Sequence, residues 1–243
     1  MLINTVLAFT RELLPVFILL AIVLQLPLQR EWQLMSQSFS LGIVTTFVMS
    51  PFLVGITQWF DGNGLEFLYI VLQLSTLAAL FVLLVSIQFT RHAIAFAIGF
   101  QVVLAGINLL LFALTVSSTD AVTESVWLGA VLGLGIGCSI AVLLYQLLSE
   151  VARISQVFTG TMIALTGARQ VSETVALLGQ TDWLTLEHKL WDSGTLISEE
   201  TEVGVFFHAL FGYEATPDVF QAGAWLAIFL IMLVMWFRRG AKS

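Results

Sequence analysis

Residues 65–89 read LEFLYIVLQLSTLAALFVLLVSIQF, twenty-five residues in which Glu66 is the only charge. A run of that length and apolarity is what an α-helix needs to cross a hydrocarbon layer of about 30 Å. It does not alternate with period two, so it is not a strand of a membrane barrel. Six further runs of the same kind flank it, at 6–28, 39–59, 93–117, 125–148, 154–178 and 219–237. The expectation is an all-α, polytopic membrane protein with seven transmembrane helices.

Composition says the same. Of 243 residues, 58% are hydrophobic and only 10% charged, with a mean hydropathy of +0.97. Soluble domains carry about 25% charged residues, so this chain lacks the polar surface to face water all round. In lipid, only helices and closed barrels satisfy the backbone. The N-terminal MLINTVLAF lacks the basic segment of a cleavable signal peptide, and we read it as the start of a retained first helix. Cys138, the single cysteine, lies inside an apolar run and reads as a small helix residue.

The predicted layout is a six-helix membrane core over 1–179, an acidic outer loop or cap over 180–218, and a seventh helix with a basic tail over 219–243. A connection of that length is expected to be a structured cap or gate rather than a turn. Arg30, Arg91, Arg153, Arg238, Arg239 and Lys242 all fall on one side of such a layout, and Lys189 alone on the other. The positive-inside rule then places the C-terminus in the cytoplasm and the N-terminus outside. Acids show the opposite bias: Asp61, Glu66, Asp120, Glu124 and the eight acids from Asp182 to Asp218 map to the outer side. The resulting negative field concentrates cations.

Four ionisable residues sit within spans: Arg11 and Glu12 in the first, Arg169 and Glu173 in the sixth. Each costs about 2.5–3.5 kcal/mol at a helix centre, which marks them as functional or paired. Arg169 and Glu173 are four apart and share a face. Arg11 and Glu12 diverge by about 100° and each needs a partner elsewhere; the expected arrangement sets Arg11 against Glu173 and Glu12 against Arg169, or turns Glu12 toward a polar cavity. A purely structural network between the two helices is the competing reading. Gly129, Gly133 and Gly137 form a small-residue stripe suited to close helix packing. Pro15 and Pro51 can break the helical ladder. His188 and His208 read mainly as water-facing loop residues, a shared metal with Asp192 or Glu187 being the lesser alternative. Nothing resembles a nucleophile–base pair, a phosphate loop or a nucleic-acid face, so neither an enzyme nor a nucleic-acid partner is expected.

Trp191-Asp192-Ser193, followed by Phe211-Gly212-Tyr213 and Pro217 before a last span, resembles the outer loop of the oxidase-dependent iron permease family, which includes the fungal ferric permease and the bacterial elemental-iron uptake permease. Phe9-Thr10-Arg11-Glu12-Leu13-Leu14-Pro15 is similar to that family's Arg-Glu-x-x-Glu signature. The resemblance implies a 3+3 helix repeat plus one and iron as a substrate rather than a resident cofactor; the short loops and small size point to a bacterial inner membrane. Two features depart from the family pattern. Pro15 stands at the second glutamate, and span four, around Val102–Gly106, has no carboxylate and only Gln101 and Asn108 as strongly polar interior residues. Two expectations follow. One is a divergent permease whose path is lined by Arg11, Glu12, Glu66, Arg169 and Glu173, with Glu12 and Glu66 as the metal ligands. The other is a non-transporting paralogue that anchors a periplasmic or membrane redox or iron-handling partner.

Overall fold

The computed structural model describes residues 2–26, 32–86, 88–116, 123–154, 156–186, 188–199 and 201–240. Arg30, Asp120, Glu187, Glu200 and Lys242, and the side chains of Glu124 and Arg153, lie outside what is described. Among the described residues the fold is helical with no strand: α1 (Leu2–Val23), α2 (Trp32–Met49), α3 (Leu53–Thr57), α4 (Gly64–Val85), α5 (Thr90–Val116), α6 (Thr123–Ile154), α7 (Gln156–Gln180), α8 (Glu202–Phe211) and α9 (Val219–Gly240).

Six helical segments are long and apolar enough to cross a membrane: Thr5–Val23, Trp32–Thr57, Gly64–Val85, Thr90–Thr115, Trp127–Val151 and Val219–Arg239. Their outer faces carry large apolar side chains, such as Phe47 at 66% exposure, Val54 at 71% and Leu143 at 65%. Such surfaces are unfavourable in water and natural against acyl chains. The chain is therefore built as a multi-pass integral membrane protein. α7 is the exception among the long helices. It spans 25 residues but is the most polar of them, and it is enclosed by the others.

Boundaries differ most at α2, which begins at Trp32 rather than near residue 39. The polar stretch Ser36-Gln37-Ser38 precedes the apolar run, yet it is helical, and Ser38 turns its hydroxyl back onto the Leu34 carbonyl at 2.8 Å. That bond satisfies the hydroxyl inside the helix and removes the cost of burying it. Pro51 lies in a short 3₁₀ turn, Ser50–Phe52, that joins α2 to α3. Pro15 is accommodated within a continuous α1. The reversal before α4 uses Phe60, Asp61 and Gly62, all at positive φ.

α1 packs on α6 and α5, α5 on α4 and α2, and α7 lies between α4 and α9 with α8 against it and α1. Leu14, Leu19, Ile22, Leu80, Leu83, Ile98, Ile163 and Met232 are all at most 3% exposed and join these helices into one core. The glycine stripe does face a neighbour. A Cβ on Gly133 would stand 2.6 Å from the Phe9 Cβ, and one on Gly137 2.6 Å from the Phe17 ring. α9 closes on α7 in the same manner, with Trp236 over Gly160 and Met232 over Gly167. The exposed Cys138 lies on the outer face of α6.

The two ends of the bundle differ in charge. Arg239 donates to the Leu83 carbonyl and, at 3.2 Å, to the Thr90 hydroxyl, so the end of α9 meets the end of α4 and the start of α5. Arg91 and Arg238 flank that contact in the sequence. Asp61, Glu66, Asp182, Asp192 and Glu214 belong to the opposite end, with α8. Gly137→Leu is predicted to overpack the α1–α6 seam and destabilise the detergent-solubilised protein by about 1–3 kcal/mol. Gly135→Leu, where a Cβ meets nothing within 4 Å, should leave the thermal midpoint unchanged or raise it.

Candidate functional site

At the acidic end, five helices bring polar side chains into the core. α7 supplies the centre. Arg169, 3% exposed, donates from Nη1 to Glu173 Oε1 at 2.8 Å, one helical turn away. The other carboxylate oxygen accepts from Gln73 Nε2 of α4 at 2.8 Å. Gln73 in turn accepts from the Thr174 hydroxyl at 3.1 Å, and that hydroxyl also reaches the Gln170 carbonyl at 2.7 Å. Gln170, fully buried, donates to Gln101 Oε1 of α5 at 2.7 Å. His208 of α8 places Nε2 3.5 Å from Glu173 Oε1.

A second carboxylate stands beside this chain of bonds. Glu12 of α1 accepts from Asn108 Nδ2 of α5 at 2.7 Å. Tyr69 of α4 lies within electrostatic reach of both Glu12 and Glu66. Glu66 sits in the first turn of α4, with Oε2 buried and without a hydrogen-bond partner among the described residues. Thr10 Oγ1, Gln170 Oε1 and Arg169 Nε are likewise buried without one. Arg11 is exposed on α1, within electrostatic reach of Glu12 and Glu173.

The expected cross-pairing is corrected here. Arg169 bonds to Glu173 of its own helix, and Glu12 bonds to Asn108, so neither Arg11–Glu173 nor Glu12–Arg169 forms a salt bridge. An i,i+4 pair is set by helix geometry alone and needs no registration between helices, so it forms in preference. Glu12, with no basic residue one turn away, takes a neutral amide instead.

The outer-loop residues that carry the family resemblance hold the 181–218 segment together. Tyr213 donates to the Ile197 carbonyl at 3.0 Å and shares a 2.7 Å bond with the Ser193 hydroxyl. Asp192 accepts from the Gly194 amide at 3.0 Å, and the Pro217 carbonyl accepts from the Leu190 amide at 2.9 Å. The Phe211 carbonyl accepts from Trp225 Nε1 of α9 at 2.7 Å. Gly212 ends α8 in the left-handed conformation, φ +70°, with its Cα so close to α7 that a Cβ would stand 3.0 Å from the Arg169 Cα. Trp191 remains half exposed. An open cavity of about 490 Å³ adjoins this segment, between the last turn of α7 and Asp182, Lys189, Glu214 and Gln221. Burial raises the Glu214 carboxyl above the usual carboxylate range, the neighbouring Gln221 amide opposing it.

His188 and His208 do not meet. His188 is fixed through its backbone amide on Asp218, and among the described residues no three His, Cys, Asp or Glu side chains gather as a metal site. Gln73, Tyr69, Gln170, Thr174 and His208 were not singled out from the sequence as parts of this network. The signal was present for some of them, since Gln170 and Thr174 lie one turn apart in a span and Gln73 interrupts an apolar run. The chain matches no protein-family model, no curated protein and no solved structure.

Arg169→Leu should strand the Glu173 carboxylate and cost about 3–5 kcal/mol, whereas the double replacement Arg169→Leu with Glu173→Leu should cost less. Denaturant unfolding in mild detergent checks the order of the two variants.

Proposed function

We propose that this chain is a divergent transporter of the oxidase-dependent iron permease type, moving iron across a bacterial inner membrane. In this reading α7 is a seventh span, so that the chain starts outside and ends in the cytoplasm, in keeping with the basic end formed by α9 and α5. The observation that supports the proposal is that three part-buried carboxylates, Glu12, Glu66 and Glu173, come from three different helices, with Glu12 in electrostatic reach of Glu173 and Tyr69 in reach of both Glu12 and Glu66. Carboxylates inside a membrane protein mark ion pathways more often than decoration, and hard oxygen ligands suit iron.

The three carboxylates divide the work. Glu173 is committed to Arg169 and Gln73, and it serves the path as a fixed element. Glu66, with a buried oxygen left open, and Glu12, held by one neutral amide, are the ligands we assign to the passing ion. Tyr69 lies within electrostatic reach of both. No resident cofactor and no enzymatic step is part of this reading.

One observation favours the second reading, a membrane subunit that docks an iron-handling or redox partner without transporting. Arg169 and Arg11 both stand close to the carboxylates and repel a cation from the same space. Uptake of radioactive iron into proteoliposomes separates the two. The transport reading predicts uptake by the wild type and a loss on the order of tenfold or more in Glu66→Gln and Glu12→Gln. No uptake above empty vesicles would end it and leave the docking subunit.

A further inference from the structure

His208 presents both ring nitrogens to acceptors. Nδ1 lies 2.9 Å from the Tyr213 carbonyl oxygen. A carbonyl has no proton to offer, so Nδ1 must carry one. In a neutral ring Nε2 is then a bare lone pair, and it faces Glu173 Oε1 at 3.5 Å. An ionised carboxylate also offers only lone pairs. Two acceptors would confront each other inside the bundle, where low dielectric magnifies the repulsion. One added proton turns that clash into an attraction. Because Arg169 and Gln73 already donate to Glu173 at 2.8 Å each, the carboxylate is kept ionised and the proton belongs on the ring.

We propose that His208 and Glu173 form a proton-binding site that latches the cap helix α8 onto α7. It goes beyond the transport reading and does not require that iron, or any ion, cross the membrane. The latch closes a loop of contacts. α8 is bounded by the Thr201 side-chain cap and the left-handed Gly212, so it is a short rigid unit with a pivot at its end. That pivot rests against the Arg169 backbone, and the Phe211 carbonyl beside it is held by Trp225 of α9. Loss of the proton sets Nε2 against the carboxylate at this junction, and the junction covers the buried Glu173.

The charges facing His208 come from three elements. α7 contributes Glu173 at close range and Arg169, which opposes the imidazolium. The strand of chain after α8 contributes Glu214, within electrostatic reach. From α1, Arg11 acts on Glu173. Burial pulls the imidazole down most strongly, but its bond to Glu173 and the charge of that carboxylate together outweigh it, and His208 lies above the ordinary histidine value. For a group raised by folding, the stabilisation is complete below the ordinary value of about 6.5 and is lost as pH rises through the higher folded value. The latch therefore holds in acid and loosens toward alkaline pH.

Nitrogen-15 labelling of the three histidines in the full-length chain, reconstituted in nanodiscs, reads the ring protonation of His208 directly. Assignment follows from loss of its signal in His208→Gln. The expected wild-type midpoint lies above the ordinary histidine value and falls in Glu173→Gln. Hydrogen exchange of the α8 amides, corrected for intrinsic rates, should rise between about pH 5.5 and about pH 8.5 in the wild type, and His208→Gln should abolish that response. The second arm decides the matter if Glu173→Gln does not fold. An ordinary wild-type midpoint, a midpoint indifferent to Glu173→Gln, or an α8 response that is absent in the wild type or survives in His208→Gln would overturn the proposal.

Discussion

The Arg169–Glu173 ion pair is the constraint around which the other helices of this bundle are arranged. A carboxylate in the interior is tolerated only if its lone pairs are met, and one guanidinium one turn away meets only part of them. The rest comes from Gln73 of α4 and His208 of α8. α7 could not face lipid on that side, so it is enclosed by α4, α9, α1 and α8. The apolar cost falls to the other helices. α2, α6 and α9 turn broad apolar faces outward while the polar α7 stays inside.

The same demand for satisfaction explains the loop that precedes α9. Its hydrogen bonds run among Ser193, Ile197, Tyr213 and Ala215, and Glu199 accepts from the Ala215 amide at 2.6 Å. These bonds fold the segment on itself so that α8 is delivered to α7 at a set depth. Gly212 allows the closest approach, because any side chain there would meet both the Arg169 backbone and a left-handed conformation that L residues avoid. The residues Asp192, Phe211, Gly212, Tyr213 and Pro217 thus have local structural work to do, whatever crosses the membrane or docks on the outside.

Apolar length made most of this architecture legible without coordinates. Hydrophobic runs bounded by charge located the long helices, and spacing put Arg169 and Glu173 on one face, although the arrangement expected from the sequence paired each of them across to α1. Contacts between helices were not legible, because they depend on rotation and depth that a single sequence does not encode. Asn108 was visible as a polar residue in an apolar span, but nothing in the sequence aimed it at Glu12. Gln73 and His208 were harder, the first being one amide in an apolar helix, the second a histidine in a polar loop. Only the docking of α8 brings His208 against Glu173. The early start of α2 was not legible because the apolar run begins only at residue 39, whereas Ser38 extends the helix by turning its hydroxyl onto the Leu34 carbonyl.

The proposed topology has α7 crossing the membrane with its charges shielded by its neighbours. Impermeant maleimide labelling of intact cells tests it, in a background where Cys138 is replaced by Ala. Cysteines would be placed singly at Ile3 and Leu196, which are 70% and 86% exposed, and after the last residue. The account predicts labelling at Ile3 and Leu196 without lysis, and at the C-terminus only after lysis. Ile3 and the C-terminus reporting from the same side would mean an even number of crossings, and would contradict it.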